Sequence, residues 1–203
     1  MEGNGIMNIA YVVAHPDDVE IMSGGLFIKY RNQANCKICI IYLFTSEERL
    51  EESQSLYKKS NNIKIVNIEN DIDILLEILV DFFPDKIITH NKNDIHFEHK
   101  ATYEAVFQLI PKLRINNNVN FRLFGMETYN SVVPITDIYI DISKEMEQKL
   151  RLISSYSSQP VKYFSDMIIS MNRMNGMKSG CEYAECYEEY PVMGVTQKSR
   201  KFL

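Results

Sequence analysis

The chain has 203 residues, 45% of them hydrophobic and 24% charged, with a formal net charge of -5. Such a composition suits one globular domain with a sizeable core, so residues 1–203 are read as a single domain. The acidic balance and the lack of any Lys/Arg cluster argue against nucleic acid, whose phosphates demand concentrated positive charge.

Strand-like runs rich in β-branched and aromatic residues fall at Asn8–Ala14, Lys37–Phe44, Lys64–Ile68, Lys86–His90 and Phe121–Glu127. The stretch before them, "MEGNGIMNIA", has neither a basic leader nor a long apolar segment, so the expected location is cytoplasmic. The longest apolar run, "ICIIYLF", is far short of the roughly 20 residues that span a bilayer, so no membrane span is expected. "CKIC" has C-x-x-C spacing but opens a strand, where residues three apart point to opposite faces. Cys36 and Cys39 are therefore read as buried free thiols, and Cys181 and Cys186 likewise.

Helix-like segments lie between the strands. In "DIDILLEILVDFFP", Ile72, Leu75, Leu76, Leu79 and Phe83 form one apolar stripe, with Asp71 as cap and Pro84 as stop. The last third reads as more helical: Met146, Leu150 and Ile153 share a face of "DISKEMEQKLRLISSY", with Ser143 as candidate cap. Alternating strands and helices define an α/β fold, a mostly parallel sheet with helices on both faces. Ligands of such sheets bind beyond the carboxyl ends of the strands.

All four histidines, His15, His90, His96 and His99, fall at or just after the ends of two of these strands. "VVAHPDDVE" follows the first and "THNKNDIHFEH" runs on from "KIIT". Imidazole and carboxylate suit zinc or ferrous iron, and catalytic zinc typically keeps three protein ligands. Neighbouring side chains diverge in a tight loop, so Asp17 and Asp18 should not both hold one ion. His15 and Asp18, three apart around Pro16, can close on it; His99, at the start of a helix, is the better third ligand. Asp17 then faces the open position as a general base, and His96 lies near enough to touch a substrate oxygen. Such a constellation suits amide or ester hydrolysis without a covalent nucleophile. There is no G-x-S-x-G elbow for a serine hydrolase and no G-x-G-x-x-G for a nicotinamide enzyme.

"AHPDDVEIMSGG" resembles the A-H-P-D-D-E…G-G signature of the LmbE/PIG-L family of metal-dependent N-deacetylases, and "HFEH" sits where that family has H-P-D-H. "METYNS", "YSSQ" and "RMNGMKSGCEYAECY" are weaker echoes, so the likeness runs through nearly the whole chain. The resemblance implies a Rossmann-like sheet, zinc or alternatively iron, His15, Asp18 and His99 as ligands, Asp17 as base and His96 as acid or oxyanion donor. It implies a small N-acetylated amino sugar or amino-sugar conjugate as substrate. Phe97 and Glu98 replace the family's proline and aspartate, and that aspartate orients the histidine matched by His96, which assigns Glu98 the same task. Arg49, in "FTSEERLEE", matches a substrate-contacting arginine, with an exposed helix charge as the other reading. His90 and Asp94 either orient a ligand or stand idle at the rim.

Ser23, Gly24 and Gly25 are expected to let the first helix begin close to the sheet, and Arg173 with Glu185 to tie the tail to the body. The alternatives to deacetylation are an amidase of a larger acyl conjugate and a non-catalytic sugar- or nucleotide-binding protein. A homo-oligomer is left open.

Overall fold

The structure, a computed structural model, describes residues 5–131 and 138–192. Residues 1–4 of the N-terminal stretch considered above lie outside them, as do 132–137 and 193–203.

The five expected strands all form, within one or two residues of the expected ends: β1 (Met7–Val13), β2 (Cys36–Tyr42), β3 (Ile63–Asn67), β4 (Lys86–His90) and β5 (Arg122–Met126). Neighbours among them pair in parallel. Two further strands, β6 (Ile138–Asp141) and β7 (Ala184–Tyr190), complete a seven-stranded sheet of order β3-β2-β1-β4-β5-β7-β6, with β7 antiparallel to both its neighbours. The sequence reading misses both: "AECYEEY" has no run of β-branched residues, and "IYID" is only four residues long.

Strand alternation splits the core in two. Ile9, Tyr11 and Val13 of β1 face one side, with Leu26 and Phe27 of α1 (Asp18–Arg31), Tyr57 of α2 (Glu47–Tyr57), Ile153 of α5 (Met146–Ile153) and Ile168 of α6 (Val161–Ser179). Ala10 and Val12 face the other, with Leu75 and Leu79 of α3 (Ile72–Phe82) and Val106 and Leu109 of α4 (Phe97–Pro111). Cys36 belongs to the first cluster and Cys39 to the second, both buried and unbridged, so the "CKIC" thiols diverge as expected. None of the described helices is long and apolar enough to cross a membrane.

Local signals explain the helix ends. Asp71 caps α3, its carboxylate accepting from the backbone N–H of Asp73 and Ile74 at 3.0 Å each. The helix stops at Phe83, left-handed at φ 51°, because the residue before a proline is pushed out of the α region. Ser143 does not cap α5. Its hydroxyl donates to Asp141 Oδ1 at 2.6 Å and accepts from the N–H of Tyr183 at 3.1 Å, so it pins the segment before β7 instead.

The two glycines of "SGG" serve a close approach to the connection before α5 and to α5 itself rather than to the sheet, whereas Ser23 does face the sheet, its hydroxyl 2.7 Å from that of Tyr187 and 3.2 Å from that of Tyr11. A Cβ on Gly25 would lie 2.6 Å from Ile142 Cβ, and one on Gly24 2.8 Å from Lys149 Cγ. Overpacking of this kind costs about 1–3 kcal/mol, so Gly25→Ala should lower the urea midpoint accordingly. An unchanged midpoint would show that Ile142 gives way freely.

Candidate metal centre

The chain winds from β1 outward through β2 to β3, then returns to place β4 on the other side of β1. At such a switch the loops beyond two adjacent parallel strands diverge and leave a crevice. "AHPDD" leaves β1 there and "NKNDIHFEH" leaves β4, so the topology makes two segments meet that are remote in the chain.

Asp18 sits at the centre, 3% exposed. Its Oδ2 accepts from the backbone N–H of His15 at 2.7 Å and lies 3.4 Å from His15 Nδ1. Its Oδ1 lies 3.3 Å from Nε2 of His99, which is buried as the third residue of α4. Burial alone would raise the Asp18 pKa, but the imidazoles beside it, His99 first and then His90, hold the carboxyl well below the ordinary range. Burial works against protonation of His99, yet Asp18 and Asp94 together carry it up to about 10. A positive charge therefore belongs in this cluster, and a cation binding there must displace the His99 proton.

Each imidazole has a carboxylate on its far side. His99 Nδ1 donates to Asp94 Oδ2 at 2.7 Å, and His15 Nε2 donates to Glu98 Oε2 at 2.7 Å. Asp94 thus orients His99, and its other oxygen accepts from the His96 N–H at 2.8 Å. Glu98 departs from the expectation: its hydrogen bond goes to His15, not His96. The longer glutamate, second in α4, reaches across to the first loop.

Donor atoms of His15, Asp18 and His99 lie within 4.8 Å of one another, and this donor set fits a divalent cation. His15, His96 and Glu98 satisfy the same distance, as do His90, Asp94 and His99. In those sets, however, the His15–Glu98 and His99–Asp94 hydrogen bonds already occupy the facing atoms. His90 is instead a packing and orienting group. Its Nε2 accepts from the Ala14 N–H at 2.9 Å, its ring stacks on His99 at 4.0 Å, and burial followed by the His99 charge lowers its pKa to about 4.

Asp17 has an unusual backbone, φ 107° and ψ -25°, in the left-handed region. It occupies the N-cap of α1, yet its side chain makes no capping bond, so the carboxylate turns into the cavity. Burial and then the charge of Asp18 raise its pKa well above the carboxylate range. Arg49 Nη1 lies 3.9 Å from Asp17 Oδ1, which puts Arg49 at the site rather than out on an exposed face. His96, at the N-cap of α4, also lines the cavity; its ring lies 5.4 Å from that of His15 and 4.4 Å from that of His99.

The cavity has a volume of about 780 Å³. Its wall includes groups that spacing arguments do not find: Phe44 after β2, Glu69 and Asn70 after β3, Tyr129 after β5, and Gln159 and Phe164 near the start of α6. The available signal is weak. Glu69 and Asn70 have positive φ of 49° and 60°, a turn feature of the "EN" pair, while the aromatic members look like core residues in sequence.

No protein-family model and no curated protein matches the chain by sequence. Solved structures do match in fold. The conserved protein TT1542 from Thermus thermophilus is 20% identical, with a TM-score of 0.76 over 96% of this chain and 99% of that one. N,N'-diacetylchitobiose deacetylase from Pyrococcus horikoshii is 16% identical, with a TM-score of 0.76 over 96% of this chain and 87% of its own. GalB, the 4-carboxy-2-hydroxymuconate hydratase from Pseudomonas putida, is 14% identical, with a TM-score of 0.74 over 95% and 99%. The architecture is therefore the α/β fold of these structures, in agreement with the mostly parallel sheet that the "AHPDD" resemblance implies. Since that fold carries a hydratase as well as a deacetylase, activity has to be argued from the site.

Proposed function

We propose that the chain is a metal-dependent hydrolase that removes an N-acetyl group from an amino sugar or amino-sugar conjugate. The carrying observation is Asp18 flanked by His15 and His99, each imidazole backed by a carboxylate, with Asp17, which makes no capping bond, beside them at an open cavity. The fold neighbours support it: they include deacetylases of diacetylchitobiose and of the teicoplanin pathway, one of the latter described in a zinc-inhibited form.

His15, Asp18 and His99 hold the cation in this reading, with zinc the first choice and iron the second. When bound, it supplies Lewis-acid chemistry, lowering the pKa of water to about 7 and polarising an amide carbonyl. Asp17 then takes the proton of the attacking water on its carboxylate oxygen. As the new C–O bond forms, His96 hydrogen-bonds the developing oxyanion, and the departing nitrogen takes its proton either from His96 or from Asp17, which holds the one removed from water. The C–N bond breaks, giving acetate and a free amine. Arg49 holds a polar group of the substrate while positioning Asp17, and the cavity has room for a sugar with an attached group.

The test is a panel of N-acetylated sugars and conjugates, with amine release read by a fluorescent reagent and acetate measured alongside. Equal amounts of both products are expected, lost on chelation and restored by zinc or ferrous iron. Absence of amine from every panel member with metal-loaded protein would overturn the reading.

A further inference from the structure

Glu98 lies at the mouth of the site, and neither the acid nor the base role uses it. It is the second residue of α4, on the same turn as His99, while His15 belongs to the loop after β1. The His15–Glu98 hydrogen bond spans 83 positions of sequence at 2.7 Å. An imidazole can offer one ring nitrogen to a cation only if its proton rests on the other. On His15, Nδ1 is the nitrogen that faces Asp18, at 3.4 Å, and Nε2 is the one that faces Glu98. A carboxylate accepting the Nε2 proton leaves the Nδ1 lone pair aimed at the cluster and stops the ring from turning.

We infer that Glu98 is a positioning residue for His15, setting its tautomer and ring orientation for cation binding, rather than a partner of His96. The inference rests on the metal-hydrolase reading. It makes the centre a pair of matched units, Glu98 behind His15 and Asp94 behind His99, with each carboxylate carried on or next to α4. The glutamate's extra methylene gives this arrangement its reach. Aspartate at the same place would fall short of Nε2 by about one C–C bond length, roughly 1.5 Å. The substitution that looks conservative against the H-P-D-H pattern therefore moves the supporting carboxylate from one histidine to another.

Zinc affinity, measured by competition with a chromophoric chelator on full-length wild type, Glu98→Ala, Glu98→Asp and Glu98→Gln, tests the assignment without substrate. Loss of a carboxylate behind a ligating histidine typically weakens metal binding about 10–100-fold, and that loss is expected for both Glu98→Ala and Glu98→Asp. Glu98→Gln keeps an accepting oxygen at full length and should lose less. The cobalt-loaded absorption spectrum should shift in the first two variants, while the urea midpoint of the metal-free proteins stays put, since Glu98 stands at a half-exposed surface. Unchanged affinity across the series, or a kcat loss at saturating metal with affinity intact, would overturn the inference and return Glu98 to His96. Wild type that binds no divalent cation at all would overturn this inference and the metal-hydrolase reading together, whereas tight binding without amidase activity would strike only the latter.

Discussion

Asp17→Asn should lower kcat by about 100- to 10,000-fold, the usual contribution of a positioned general base, with the bound metal retained. The two side chains have nearly the same shape, and asparagine tolerates positive φ about as well as aspartate, so the turn at φ 107° should survive. What the amide lacks is a basic oxygen to receive the proton of water. Asp17 also lies outside the donor cluster formed by His15, Asp18 and His99, so the variant should purify with wild-type metal content. Elemental analysis beside steady-state kinetics checks both halves. Full activity in the variant would remove Asp17 from the mechanism, and loss of metal would place it among the ligands.

The second large effect is on stability. Lys149 and Glu185 form an ion pair at 2.7 Å with both side chains fully buried. Removing one partner of such a pair leaves an uncompensated charge and costs about 3–5 kcal/mol. Lys149→Met, which keeps the aliphatic stem packed against Gly24, should lose that much in urea denaturation. Adding Glu185→Leu should not restore stability, because Glu185 has a second task. Helix α1 kinks at Ser23, which is non-helical at φ -129° and ψ 16°, and Glu185 stands against the N–H groups just beyond the kink. Glu185 accepts from those of Gly25 at 2.7 Å and Leu26 at 2.9 Å. Leucine there would leave two buried donors unsatisfied, each worth about 1–3 kcal/mol. A single-variant loss below about 1 kcal/mol, the scale of an exposed pair, would contradict this account.

This network also corrects the pairing expected from sequence. Glu185 does anchor the tail, but to Lys149 of α5 and the kink of α1, while Arg173 stays exposed, 3.5 Å from Glu182. Nothing local signals that arrangement. Helix α6 escapes a periodicity reading for a related reason: its buried face includes Asn172 and Asn175, whose side chains bond Ala184 O at 3.1 Å and Glu127 Oε2 at 2.5 Å. Buried polar residues with distant partners erase the apolar stripe on which periodicity depends.

The candidate site was legible where its residues carry their own chemistry. His15, Asp18 and His99 meet as their spacing implied, while the position of Arg49, 3.9 Å from Asp17, was not to be read from its helix. Asp71 shows the same for the fold, since a cap acts within its own turn. The cavity wall was not legible, because Tyr129 and Phe164 differ from core aromatics only in what lies beside them.

Local order explains what the chain alone determined: five strands, the α3 helix with its cap, diverging cysteines, and two donor-rich loops at the strand ends. Period, turn chemistry and side-chain type act within a few residues, so they survive without tertiary context. The tertiary structure decided which carboxylate stands behind which imidazole, where Lys149 finds its counter-charge, and that "AECYEEY" is a strand. Each of these depends on the separation and orientation of groups dozens of positions apart, which only the packing of helices on a twisted sheet defines.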